Sequence, residues 1–304
     1  MTSNLKPTGR LEKKLARVAR EQGIDQERLR RWVSFLALCG VLERAIQEGV
    51  LGAYYLKGGA AMELRFAQFA RATKDLDLGI EGTRAIRMQT LTAVLQLAFD
   101  DFTFRLKPRT RNMEQADTIR VEVAVQYRTR SWQTIEVDLG PAKAGPVDLV
   151  DPHFQGLAEL GIPVTSPVRC LRLADQVAQK LHACTGPAAA GRARDVLDIL
   201  LIDKLGELNY SETADAALRV FEERATHAFP PAFIMPAEWH PELETLAAEL
   251  DFPIKTSAEI EVRKIYKDIT VEMLRDEEFG KAAEKAKLYL AEMYEEYQAA
   301  RARG

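Results

Sequence analysis

Two aspartates one residue apart, Asp75 and Asp77, alternate with Leu76, Leu78 and Ile80. That alternation is the period of a half-buried strand, so both carboxylates lie on one face. Side by side they repel unless a cation lies between them. Hard cations such as Mg²⁺ take oxygen ligands, commonly one or two carboxylates together with substrate phosphates. Just upstream, the short apolar run Tyr54 to Leu56 ends near Gly58 and Gly59. Paired glycines permit a tight turn and let a ligand approach the backbone. Ala60 to Phe66 reads as a helix with Ala61, Leu64 and Phe66 buried, and its free N–H groups suit a phosphate. A glycine pair alone is an ordinary turn, and alternating aspartates alone are an ordinary solvated face. The ordered combination of Gly-Gly, helix and Asp-x-Asp is far more specific.

Further residues extend this chemistry. In TIEVDLG, residues 134–140, Ile135, Val137 and Leu139 share one strand face while Glu136 and Asp138 share the other. Asp138 could join Asp75 and Asp77 as a carboxylate trio across neighbouring strands, an arrangement that can hold two metals about 4 Å apart for nucleotidyl transfer. Lys180 sits in a helical pattern with Leu173, Val177, Leu181 and Cys184. It could reach a triphosphate as a point charge, or snorkel from a core-facing helix. Arg192 and Arg194 precede Asp195, with Asp198 a turn later. Asp195 could anchor Lys180 or an arginine, act near the active site, or serve as an acid at a helix N-terminus. Arg105, Lys107, Arg109 and Arg111 recur at period two. In an extended segment their shared face would suit an RNA backbone or protect an edge strand from aggregation.

These residues need elements to position them. Helices are expected over Arg10–Glu21, Gln26–Glu48 and Arg84–Asp100. Strands are expected over Phe102–Leu106, Thr118–Tyr127 and Trp132–Leu139, the second with Ile119, Val121, Val123 and Val125 inward. From Leu171 onward the chain reads as helical: Leu171–Cys184, Arg194–Leu205, a helix to about Ala225 capped by Ser211, then about 238–250, 257–274 and 277–302. Residues 227–241, with four prolines, read as an irregular connection.

The 304 residues are 47% hydrophobic and 29% charged, ordinary for a soluble globular protein. The net charge of −3 gives no sign of wholesale nucleic-acid binding. The charge is uneven, however: residues 1–31 hold nine Lys or Arg against four acids, and residues 238–304 hold ten against sixteen. A basic front and an acidic tail fit a polyanionic substrate on one side, or simply solvated helix faces. Three cysteines without metal-type spacing suit reduced thiols in a cytoplasm. No secretion signal and no membrane span are expected. The histidines, His153, His182, His227 and His240, lack zinc-type spacing. Neither a hydrolase triad nor a Walker A sequence is present.

Taken in order, Leu56-Lys57-Gly58-Gly59, Arg71-x-Thr73-x-Asp75-Leu76-Asp77-Leu78, Lys180-Leu181-His182-Ala183 and Arg194-Asp195-x-x-Asp198 resemble the motifs of AbiEii/AbiGii-type nucleotidyltransferase toxins. MenT-type toxins belong to that group, which is similar to the DNA polymerase β superfamily. The resemblance covers residues 50–205. It implies an α+β fold, a polymerase β-like mixed sheet with helices, followed by an α-helical C-terminal part. The expected organisation is N-terminal helices over 1–49, a nucleotidyltransferase core over 50–165 and a helical domain over 166–304. Implied roles are metal ligation by Asp75, Asp77 and Asp138, with Lys180 and Asp195 also catalytic. Lys57, Gly58, Gly59, Thr73 and Lys180 would bind nucleotide. The implied cofactor is Mg²⁺ or Mn²⁺ with a nucleoside triphosphate as substrate. The implied partners are tRNA or another RNA acceptor and a cognate antitoxin. Two departures stand out: Ala60 brings no hydroxyl where the family often has Ser or Thr, and Gln179 replaces a usual Glu.

The function expected on these grounds is a toxin that transfers a nucleoside monophosphate onto RNA, most directly the tRNA 3′ end, and so blocks translation. Arg105, Lys107, Arg109 and Arg111 are the expected RNA contacts. The alternatives are a module of this fold that binds nucleotide or RNA without turnover, and an enzyme that nucleotidylates a protein hydroxyl.

Overall fold

The computed structural model describes residues 7–113, 117–143, 145–152, 156–163, 167–186, 191–227, 235–250 and 260–268 except 263 and 266; of 7, 8, 109–113 and 157 it describes the backbone alone. His153, the helix expected over 277–302, most of that over 257–274 and the middle of the proline-rich connection lie outside the described residues. The chain divides into two compact units, Met1–Leu171 and Arg172–Gly304.

The first unit opens with helices α1 (Pro7–Gln22) and α2 (Gln26–Gln47). Asp25 caps α2 by accepting a hydrogen bond from the Arg28 amide at 2.8 Å. Then follow β1 (Tyr54–Lys57), α3 (Gly58–Phe66), β2 (Asp75–Ile80), α4 (Arg84–Val94), β3 (Phe102–Met113), β4 (Thr118–Tyr127) and β5 (Arg130–Pro141). The unit ends with β6 (Val147–Val150), the one-turn α5 (Leu157–Leu160) and β7 (Val168–Leu171). These strands form one seven-stranded sheet in the order β3-β4-β5-β2-β1-β7-β6. Pairings are antiparallel except β2 with β5 and β1 with β7. The fold is therefore α+β with a mixed sheet.

The alternation in the sequence decides which face is dry. Leu76, Leu78, Ile119, Val121, Val123, Val125, Ile135, Val137 and Leu139 are buried in one cluster with Trp32, Phe35, Leu36 and Cys39 of α2. The Trp132 indole also donates to Ser34 Oγ of α2 at 3.1 Å. The opposite face of β2, β4 and β5 is left to the polar residues between them.

Several elements differ from expectation. α3 begins at Gly58, so the glycine pair forms its first turn rather than a separate loop. Phe66 is only half-buried. α4 stops at Val94, because Phe99 pairs with Phe102 instead and lays its ring over Gly40 of α2, which has no Cβ to obstruct it. β3 runs to Met113, with a register shift between Leu106 and Thr110 that accommodates Pro108. β6 and β7 were not expected at all.

In the second unit, α6 (Leu173–Thr185), α7 (Ala193–Leu205), α8 (Tyr210–Arg224) and α9 (Trp239–Glu249) are helical as expected. The cap of α8 is Asn209, not Ser211: its side chain accepts from the Glu212 amide at 3.2 Å. Among the described residues no helix is long and apolar enough to cross a membrane.

Candidate active site

The sheet register carries the site. Asp77 on β2 is the Cα partner of Lys57 on β1 and of Asp138 on β5. Asp138 is in turn paired with Arg120 on β4. One row across the sheet therefore reads Lys57, Asp77, Asp138, Arg120: two acids flanked by two bases. The neighbouring row places Asp75 beside Glu136, and Glu136 beside Glu122. Residues opposite one another in a ladder project to the same face. The carboxylates of Asp75, Asp77 and Asp138 thus share the polar face of the sheet.

Asp75 is held from behind. Thr73 Oγ1 donates to Asp75 Oδ1 at 2.8 Å. The Thr73 amide donates to Glu63 Oε2 at 3.3 Å, and Glu63 Oε1 accepts from Arg28 Nε at 2.7 Å. Arg28 also donates to the carbonyls of Ala67 and Ala70. Burial pushes the Glu63 carboxyl above its usual range, opposed by the nearby Arg28 charge. The relay Arg28–Glu63–Thr73–Asp75 fixes the segment joining α3 to β2.

The glycine pair lets Asp77 and Thr73 pack directly against the start of α3. Gly58 has φ +59, and a Cβ there would lie 2.0 Å from Asp77 Oδ2. A Cβ on Gly59 would lie 2.7 Å from Thr73 Cβ. Only glycine lets the start of α3 sit this close to Asp77 and Thr73. Lys57 runs along the same face, its Nζ 3.4 Å from where a Cβ on Gly140 would be.

Arg120 was not anticipated. Its Nε donates to Asp138 Oδ1 at 2.7 Å and its Nη2 to Asp138 Oδ2 at 2.6 Å. Nη2 also reaches Asp75 Oδ2 at 3.2 Å, and Nη1 lies 3.4 Å from Glu136 Oε2. Its hydrogen bonds to Asp138 outweigh partial burial and hold the guanidinium above its already high range. Within its alternating strand, Arg120 reads as one more outward polar residue. The only signal would have been counting the register back from the β4–β5 turn.

An all-oxygen donor set suits a hard divalent ion. Asp75 and Asp77, on one face of β2, supply such oxygens, and the missing Cβ of Gly58 makes room for the Asp77 carboxylate. Asp138 has both oxygens on Arg120, and among the described residues no group of three or more His, Cys, Asp or Glu is arranged to hold a metal.

On β3, Lys107 Nζ lies 3.2 Å from Glu122 Oε2, and Arg105 is exposed. The side chains of Arg109 and Arg111 lie outside the described residues.

The second unit contains the other expected residues. Lys180 is buried on α6, its Nζ 2.9 Å from Asp195 Oδ1 and 2.8 Å from Asp198 Oδ2, both on α7. Burial alone would lower the Lys180 pKa, but the carboxylates of Asp198 and Asp195 outweigh it and raise it. Nearby, His182 Nε2 pairs with Thr226 Oγ1 at 2.8 Å and Nδ1 with Arg224 at 3.2 Å. Burial, the Arg224 charge and His227 push the His182 pKa down to about 4.

Comparison with known proteins agrees with this architecture. MenT4, a nucleotidyltransferase toxin from Mycobacterium tuberculosis H37Rv, is similar in fold: TM-score 0.51 at 14% identity, over 85% of this chain and 98% of that one. The antibiotic-resistance factor ANT(2'')-Ia matches at TM-score 0.35 and 17% identity, over 62% of this chain and 91% of that one, too distant in shape to bear on the argument. No curated protein matches. The family model described as "Nucleotidyl transferase AbiEii toxin, Type IV TA system" matches residues 40–300. The chain belongs to the AbiEii family of nucleotidyltransferase toxins.

Proposed function

We propose that the chain transfers a nucleoside monophosphate from a nucleoside triphosphate to a hydroxyl of RNA, in a reaction that requires a divalent metal ion. The observation that carries this reading is the register of Asp75 and Asp77 beside Asp138 on one polar sheet face. A bound divalent ion would neutralise charge on the triphosphate at Asp75 and Asp77. Thr73 keeps Asp75 oriented. Gly58 and Gly59 let the triphosphate approach the amides at the start of α3. Lys57 supplies a cation on the same face. The acceptor oxygen bonds to the α-phosphorus, the bond to pyrophosphate breaks, and the hydroxyl proton passes to solvent. RNA is the proposed acceptor, most directly the tRNA 3′ end, along β3 through Arg105, Lys107, Arg109 and Arg111. Membership of a toxin–antitoxin family implies a cognate antitoxin.

For Lys180 and Asp195 the family role is catalytic, with Lys180 on the triphosphate. One observation favours a second reading. Lys180 is clasped by Asp195 and Asp198, a trio of net charge −1. Such a trio ties α6 to α7 and offers a polyanion no excess positive charge.

The test is incubation with each α-³²P-labelled nucleoside triphosphate, Mg²⁺, and either total tRNA or total protein. Label in RNA supports the reading. Label confined to protein would transfer it to a protein hydroxyl, and binding without label would leave a module without turnover.

A further inference from the structure

We propose that Arg120 is the resident second cation of the carboxylate face, so that this chain holds one divalent ion, at Asp75 and Asp77, rather than two. The inference rests on the metal-dependent reading above and concerns a residue that reading does not use.

Each carboxylate oxygen can be followed. Asp138 Oδ1 and Oδ2 accept from two different nitrogens of one guanidinium, at 2.7 and 2.6 Å. This is the fork-on-fork pairing for which arginine and carboxylate geometries match, and it is stronger than pairing between neutral groups. Asp75 Oδ2 accepts from the same Nη2 at 3.2 Å, while Asp75 Oδ1 accepts from Thr73. Arg120 therefore bridges Asp138 to Asp75 as a second metal ion would. Glu136, 3.4 Å from Nη1, supplies the third acid around it.

Three features make this arginine a fixture. Its backbone is locked opposite Asp138 in the ladder, so the pair needs no loop movement to form. The Asp138 side chain is only 11% exposed, so withdrawal of Arg120 would leave a nearly buried carboxylate without its counter-charge. A guanidinium also cannot shed its proton to make way for a metal. A divalent ion would have to displace two short charge-assisted bonds at Asp138, whereas at Asp75 Arg120 makes a single, longer contact of 3.2 Å. The site thus divides into a fixed monovalent position at Asp138 and an exchangeable divalent position at Asp75 and Asp77.

Mn²⁺ alone is the probe, counted by the electron paramagnetic resonance signal of the free ion during titration of the full chain. The wild type is expected to bind about one ion per chain. Arg120→Gln, with its charge removed, is expected to bind a second, and Arg120→Gln/Asp138→Asn to return to one. Should Arg120→Gln fail to fold, Asp138→Asn in the wild-type background decides. It keeps one ion with affinity lowered by no more than about tenfold if Asp138 acts only through Arg120. Two ions on the wild type, no second ion on folded Arg120→Gln, or a loss of about a hundredfold or more in Asp138→Asn would each overturn the proposal while the metal reading survives. No ion on the wild type would overturn both.

Discussion

Asp77 and Asp138 stand side by side on parallel strands, Cα partners in the β2–β5 ladder, each flanked by a base in the same row: Lys57 beside Asp77 and Arg120 beside Asp138. Two acids placed this closely on a sheet face repel each other. They are tolerable because cations lie at both ends of the row. The acids mark where positive charge is wanted, and the bases decide how much of it the protein supplies itself.

Gly58→Ala probes the close approach of α3 to that row. The φ of +59 disfavours any L side chain, and the new Cβ would meet Asp77 Oδ2. The backbone effect alone is about 1–2 kcal/mol of stability. Displacement of Asp77 should lower transfer by roughly a hundredfold. Melting curves and single-turnover label transfer on the same preparation measure both. Unaltered transfer would mean that the geometry between Gly58 and Asp77 does not matter for chemistry.

Lys180→Met distinguishes a tie between helices from a triphosphate contact. Asp198 is fully buried, and removing its cation should destabilise the protein by about 3–5 kcal/mol. Urea denaturation reads this directly. A midpoint near wild type together with lost nucleotide binding would restore the triphosphate role.

His182 makes stability depend on pH. Its folded pKa of about 4 lies below the unfolded value near 6.5. The unfolded chain therefore binds the proton first as the solution is acidified. The contribution is present in full above about pH 6.5 and is lost as pH falls toward about 4. After allowance for solvent screening it amounts to about 2 kcal/mol. Denaturation midpoints between pH 7 and pH 4 for wild type and His182→Gln should converge toward acid, and parallel curves would exclude His182 as the source.

RNA contact along β3 has its own signature. Replacing Arg105 and Lys107 by Ala should flatten the dependence of tRNA affinity on salt by about one unit per lost phosphate contact. Lys107 already pairs with Glu122, so its share should be the smaller. Affinities at two salt concentrations suffice. An unchanged slope would leave these residues as protection for an edge strand.

Much of the fold is written in local periodicity. Ile119, Val121, Val123 and Val125 alternate cleanly, and β4 spans Thr118–Tyr127 as expected. Asp75 and Asp77 were readable because their two-residue spacing fixes a shared face wherever the strand lies. β6 and β7 escaped because four-residue strands carry almost no pattern, and their pairing with each other and β1 is set at long range. The end of α4 escaped because the match of the Phe99 ring to Gly40 is a tertiary contact. Arg120 escaped for the same reason: its type and spacing are ordinary, and only the register with Asp138 gives it meaning. Glu63 and Arg28 carry no local signal for the same reason: their relay to Thr73 forms only where the connection before β2 meets α2 and α3.

In the proposed reaction Asp75 and Asp77 bind the ion on which nucleotidyl transfer to RNA depends. The most direct measurement compares wild type with Asp77→Asn in transfer of label from α-³²P nucleoside triphosphates to total tRNA with Mg²⁺, at equal concentrations of folded protein. Loss of one carboxylate charge removes no apolar packing, so the melting temperature should hold while transfer falls by at least about a thousandfold. RNA labelled by Asp77→Asn at a rate near wild type, on a chain that binds Mg²⁺ no worse, would exclude Asp77 as a ligand of that ion.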